Sequence, residues 1–143
     1  MRKPHTARML AAAALLLLST AAAAQGAPLR MHTPEELTWV PFGAEGKAAF
    51  LWGDRKVGPW GMLLKFPPGY RGGAHSHTLD YHGITVAGTW TRTAGGVSRD
   101  LPVGSYVLQP GKQVHSDGCK GPEECVFLIH QAGPGDYIPA ERH

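Results

Sequence analysis

No stretch of these 143 residues is apolar for long enough to cross a bilayer comfortably. The run at residues 10–20, LAAAALLLLST, has eleven, against about 20 for a spanning helix. No run of lysine and arginine interleaves with aromatic residues, which leaves out a nucleic-acid surface. No helical periodicity of useful length follows Leu37, which leaves out a helix bundle. Only two cysteines are present, Cys119 and Cys125, so at most one disulfide forms. There is no internal repeat and no linker, and the length allows a single domain.

The start of the chain reads as a targeting segment. MRKPHTARM is basic, the apolar run follows, and small residues at Ala22 and Ala24 precede Gln25. A charged start, a short apolar run and an A-x-A end are the pattern of a secretory signal peptide. Residues 1–24 are therefore expected to be removed, leaving 25–143 as one mature domain, periplasmic or secreted and without membrane insertion. Losing Arg2, Lys3 and Arg8 takes Lys plus Arg from 14 to 11, equal to the 11 acidic residues, so the mature chain is neutral with His uncharged. The basic balance belongs to the leader and not to a polyanion-binding face. Export also means an oxidising compartment. A Cys119–Cys125 disulfide, closing the five-residue loop KGPEE, is favoured over a metal-binding thiolate.

Breakers dominate what remains: 19 Gly and 11 Pro fall in residues 25–143. One short helix is expected at TPEEL, with Thr33 as N-cap, Pro34 in the first turn, and Glu35 and Glu36 at the positive end of the dipole. Short runs rich in β-branched and aromatic residues follow: LTWV, AAFLW, WGMLLKF, GITVAGTWT, GSYVLQ and CVFLIHQ, each bounded by Gly, Pro or Asp. AGG at 94–96 marks a hairpin tip. Trp52, Trp60, Trp90, Phe50, Phe66 and Phe127 read as core. The pattern predicts an all-β antiparallel sandwich or barrel, a barrel having no exposed strand edges.

Chemistry concentrates at residues 75–82, HSHTLDYH. His75 and His77 share one face of an extended segment, so two imidazoles can reach one ion. His115 follows a turn in PGKQVH, some forty residues on. Three imidazoles from two strands suit one divalent transition metal: Fe, Zn, Cu, Ni or Mn. Asp80 is a rival oxygen ligand, Gln109 is placed to reach a bound ligand, and His130 is a core histidine or a partner to a ligand. Arg71 and Arg92 lie near these segments, but no arginine clamp for a carboxylate stands out.

These segments resemble the two motifs of the cupin superfamily. The first runs Gly69, five residues, His75-x-His77, Tyr81 where glutamate is expected, then Gly88. The second runs Gly104, five residues, Pro110, Lys112 at a glycine slot, His115, and Cys119 at an asparagine slot, with Gly111 one place early. Fifteen residues separate the two, and the resemblance covers roughly residues 35–132. It implies a small double-stranded β-helix (jelly-roll) barrel, with a metal held inside by the motif histidines and the acid, and pairing into a homodimer. Two residues compete for the vacant acid slot. Counting back from Gly88 gives Tyr81; alternation puts His82 on one face with Ile84 and Val86, and a bulge near Gly83 would reconcile them. His82 is thus expected as a fourth ligand to His75, His77 and His115, and Tyr81 as the catalytic group.

Losing the glutamate resembles the three-histidine cupins, among them thiol and diketone dioxygenases. The expectation is a metal-dependent, dioxygenase-like enzyme acting on a small oxygenated molecule in the cavity. The alternatives are a lyase or isomerase using Tyr81 as base, and a non-catalytic periplasmic protein that binds a metal or small ligand.

Overall fold

The computed structural model describes residues 26–140. The expected signal peptide lies outside the described residues. Residues 26–31 have no regular structure, and a separate compact unit begins at His32. Among the described residues no helix is long and apolar enough to cross a membrane.

TPEEL does not form an α-helix. A single 3-10 turn spans Pro34–Glu36, closed by the Thr33 N–H donating to Glu36 Oε2 at 2.8 Å. None of its residues is buried. With no apolar face to pack, nothing repays the cost of extending the turn.

Eleven strands follow: β1 (Val40–Phe42), β2 (Gly46–Gly53), β3 (Trp60–Phe66), β4 (His75–Ser76), β5 (Tyr81–Ala87), β6 (Trp90–Ala94), β7 (Val97–Leu101), β8 (Tyr106–Gln109), β9 (His115–Cys119), β10 (Cys125–Gln131) and β11 (Ile138–Pro139). They form two antiparallel sheets, ordered β1-β2-β3-β10-β5-β8 and β11-β4-β9-β6-β7. The sheets are open. Among the described residues no strand of one pairs with a strand of the other, so the expected closed barrel is a pair of facing jelly-roll sheets. Gly95 and Gly96, with φ +57° and +78°, make the β6–β7 tip. Two consecutive left-handed residues are what a two-residue hairpin with native strand twist requires.

The core lies between the sheets: Trp60, Met62, Tyr81, Phe127 and Ile129 from the larger, Trp90 and Cys119 from the smaller. Trp90 packs on Phe127 with ring centroids 4.3 Å apart. Burial of each large apolar side chain stabilises by about 1.5–3 kcal/mol. Phe66 packs against this cluster, but Phe50 and Trp52, expected as core, are 50% and 45% exposed. The β2–β3 register shifts between them, and both sit on the outer face, Trp52 over the space left by Gly61. Cys119 and Cys125 are disulfide-bonded, tying the end of β9 to the start of β10.

Candidate metal centre

His75 and His115 are direct cross-strand partners on β4 and β9. His77, two residues past His75, turns to the same side. The three rings lie with centroids 4.9 Å (His75–His77), 4.2 Å (His75–His115) and 5.3 Å (His77–His115) apart. One ligand atom from each lies within 4.8 Å of the other two.

Hydrogen bonding sets their chemistry. Nδ1 of His75 bonds the Gly73 carbonyl at 2.9 Å, Nδ1 of His77 the Asp136 carbonyl at 2.6 Å, and Nδ1 of His115 the Gln113 carbonyl at 3.1 Å. A carbonyl only accepts, so each Nδ1 carries the proton and each Nε2 keeps its lone pair. Three lone pairs then converge. Burial, reinforced by the Arg92 cation, pushes the His115 pKa down to about 3, and burial also lowers that of His77. Neutral, carbonyl-oriented imidazoles with converging lone pairs are the donor set a divalent transition metal takes.

The structure separates the two rivals for the acid slot. Tyr81 points inward and is buried, whereas His82 is exposed on the outer face of β5. There its Nδ1 bonds the Tyr106 hydroxyl at 2.8 Å. It is not brought to the three histidines. No bulge forms at Gly83, which pairs with Ile129; the register shift lies further along β5, where Thr85 and Ala87 pair with the adjacent Phe127 and Val126. Alternation misled because the larger residues, Ile84 and Val86, face outward, 42% and 47% exposed. The inner face must be small: the Trp90 ring lies over Gly83, where a Cβ would stand 2.8 Å from it. Asp80 is a structural acceptor, taking the Gly111 N–H at 2.6 Å, and His130 bonds the Trp60 carbonyl.

Around the histidines runs a polar network that no sequence motif marks. Buried Arg92 donates to the Tyr81 hydroxyl at 2.8 Å, to Asp117 Oδ1 at 2.5 Å, and to the Gln109 side-chain oxygen. The Trp90 indole N–H also donates to Asp117 Oδ1, at 2.8 Å. The Tyr81 hydroxyl lies 3.5 Å from His115 Nε2. Burial raises the Tyr81 pKa well above the usual phenol range, and nearby Asp117 adds to the shift.

The site opens on a cavity of about 510 Å³. His75, His77, Tyr81 and Asp117 line one part, and Trp60, Met62, Leu64, Phe127 and Ile129 give apolar walls. Arg55 and Trp60 also line it, and Arg55 Nε and Trp60 Nε1 are buried without a hydrogen-bond partner. Tyr137 stacks on His75 with centroids 4.3 Å apart.

Residues 29–134 match the family described as the ChrR cupin-like domain. The chain belongs to this cupin family. No curated protein matches it. Solved structures share the fold at low identity. The polyketide cyclase RemF of Streptomyces resistomycificus is 11% identical, with TM-score 0.69 over 81% of this chain and 88% of that one. KdgF of a Halomonas species is 18% identical, with TM-score 0.60 over 80% and 96%. ChrR, solved with SigE of Rhodobacter sphaeroides in an anti-sigma complex, belongs to a structure that is 17% identical, with TM-score 0.57 over 69% and 50%. Within the cupin motifs, Lys112 keeps the backbone of the glycine it replaces, with φ +62°, and Cys119 at the asparagine slot is bonded to Cys125.

Proposed function

We propose that the chain is an exported, metal-dependent cupin enzyme that acts, in the manner of a dioxygenase, on a small oxygenated organic molecule bound beside the three histidines. The observation that carries this is the gathering of three imidazoles within 4.8 Å of one another, two of which, His75 and His77, line a largely apolar cavity. His75, His77 and His115 would hold the ion through Nε2. Iron or copper held there would supply redox chemistry toward dioxygen, and any divalent ion would polarise a substrate oxygen.

The chain's own residues do the rest. Trp60, Met62, Phe127 and Ile129 give the cavity apolar walls against which the carbon skeleton of a substrate would pack. Arg55 Nε and Trp60 Nε1 offer two unmatched donors, which favour a substrate bearing a carboxylate or carbonyl oxygen. Tyr81 receives a hydrogen bond from Arg92 on its oxygen, leaving its own proton to donate. Its raised pKa keeps that proton in place. This favours a hydrogen-bond donor over a general base, and so an oxygenase-type reaction over elimination driven by Tyr81. Export is supported by the composition of residues 1–24 and by the Cys119–Cys125 bond, which suits a periplasmic or secreted site.

The test is elemental analysis of untagged protein purified without chelator, beside His75→Ala, followed by oxygen uptake with a panel of small aromatic and dicarbonyl acids. The expected result is about one transition-metal ion per chain, lost in the variant, and substrate-dependent uptake. Equal metal in both proteins overturns the site. Similarity to ChrR favours a second reading, a non-catalytic binding module; stoichiometric metal with ligand binding but no turnover across the panel would select it.

A further inference from the structure

The cupin glutamate is missing from β5, yet a carboxylate stands beside two of the three histidines, His75 and His115, on another strand. Asp117 lies two residues beyond His115 on β9, on the same face. Its Oδ2 is 3.7 Å from His115 Nε2 and 3.9 Å from His75 Nε2. Two ligand atoms bound tetrahedrally to one ion stand about 3.4 Å apart, given metal–ligand bonds of about 2.1 Å. Those two separations exceed it by about 0.3–0.5 Å; Asp117 stands outside the set of ligand atoms that lie within 4.8 Å of one another, so its carboxylate would close on an ion held by the three histidines.

The electrostatics are more decisive than the distances. The two hydrogen bonds to this carboxylate, from Trp90 and Arg92, both arrive at Oδ1. Oδ2 faces the Nε2 atoms of His75 and His115. Their Nδ1 protons are committed to carbonyls, so both Nε2 atoms present lone pairs. An anionic oxygen facing two lone pairs in a largely buried site is repulsive, and a cation between them removes the repulsion. The charge balance agrees. A divalent ion held by three neutral imidazoles would sit near the buried Arg92 guanidinium with no anion between, a costly arrangement at low dielectric. Asp117 supplies that anion to both.

We propose that Asp117 is the fourth protein ligand of the metal, binding through Oδ2 while Arg92 and Trp90 hold Oδ1, so that the cupin carboxylate has moved from the first motif to the second. The inference rests on the three-histidine metal site of the preceding section. A ligating carboxylate with its distal oxygen hydrogen-bonded is the usual way such a group is oriented. The ligand set then carries one negative charge, as in a glutamate-bearing cupin, and not the neutral set that a vacant slot implies.

The experiment is a chelator-competition titration with Zn²⁺ on the full chain, on Asp117→Asn and on His77→Ala, with Co²⁺ absorption spectra of each and a Zn²⁺-soaked crystal of the unsubstituted protein. Asn keeps an acceptor for Arg92 and Trp90 and removes the charge. The expected result is a Kd at least 10-fold weaker in Asp117→Asn with an altered Co²⁺ spectrum, no site in His77→Ala, and Asp117 Oδ2 at about 2.1 Å from zinc. Unchanged affinity and spectrum in Asp117→Asn overturn this inference and leave the histidine site standing. No zinc in the unsubstituted protein overturns both. Should Asp117→Asn misfold, the crystal decides alone: an oxygen beyond about 3 Å from the ion overturns the assignment.

Discussion

The fold holds His115 neutral down to about pH 3, where a free imidazole protonates near 6.5. Between those values the unfolded chain takes up a proton that the folded chain refuses. Stability of the metal-stripped protein therefore falls as pH drops through this window and is fully present above pH 6.5. The steepest loss from one such group is about 1.4 kcal/mol per pH unit. His77, lowered in the same direction, adds to it. Glu35, Asp100 and Asp136, whose carboxyls are held below their usual range, begin to contribute only below about pH 5, so urea midpoints at about pH 7, 6 and 5.2 isolate the imidazoles. A steady decline is expected, flattened in His115→Asn, and a constant midpoint contradicts the buried neutral ring. At this scale His75, His77 and His115 were legible, because i, i+2 spacing and a second histidine after a turn are local patterns. Asp117 was not. In HSDGC it reads as a polar turn residue, and only the β6–β9 register, which sets Arg92 directly opposite it, reveals its surroundings. Tyr81 against His82 could not be settled by alternation either, since large apolar residues fall on the outer face of β5.

Single elements explain why the short loops near the site tolerate so little. Gly111, one place early for the cupin motif, sits where a Cβ would stand 2.5 Å from the Thr78 carbonyl oxygen, and the next residue's N–H bonds the His77 carbonyl. Gly111→Ala is expected to move the HSHT segment, costing about 1–3 kcal/mol as an overpacked site does and lowering metal occupancy with it. Full metal content at unchanged melting temperature would show that the loop yields freely. The Cys119–Cys125 bond closes a short loop between β9 and β10. Chain-entropy arguments put its contribution at about 2 kcal/mol for so small a ring. The Cys119→Ser, Cys125→Ser double variant should melt several degrees lower, and chemical reduction should match it. The strands were legible where β-branched and aromatic runs meet breakers. β7 and β9 were not, since VSRDL and HSDGC are polar and owe their strand geometry to pairing with β6. TPEEL carried real capping signals, but a helix start without an apolar face stops after one turn.

For the molecule as a whole, the outer face of the six-stranded sheet is the anomaly. Phe50 and Trp52 on β2, Ile84 and Val86 on β5, and Tyr106 and Leu108 on β8 are all between 42% and 58% exposed. Apolar side chains gathered on one sheet face mark a contact surface more often than a bare exterior. β8 is also a sheet edge, with backbone groups open to a partner strand. Fold class follows from breaker density and short strands. Which face of β5 turns outward does not, because Ile84 and Val86, apolar yet exposed, read in sequence as core. We propose that this face pairs two copies of the chain. Light scattering should give twice the chain mass, and Ile84→Lys with Leu108→Glu should halve it. Metal content should not change, because both side chains lie on the face of the sheet opposite Tyr81 and the histidines. A monomeric parent protein at tens of micromolar would rule out the pairing, and a variant that loses metal along with its partner would show that the face and the site are coupled.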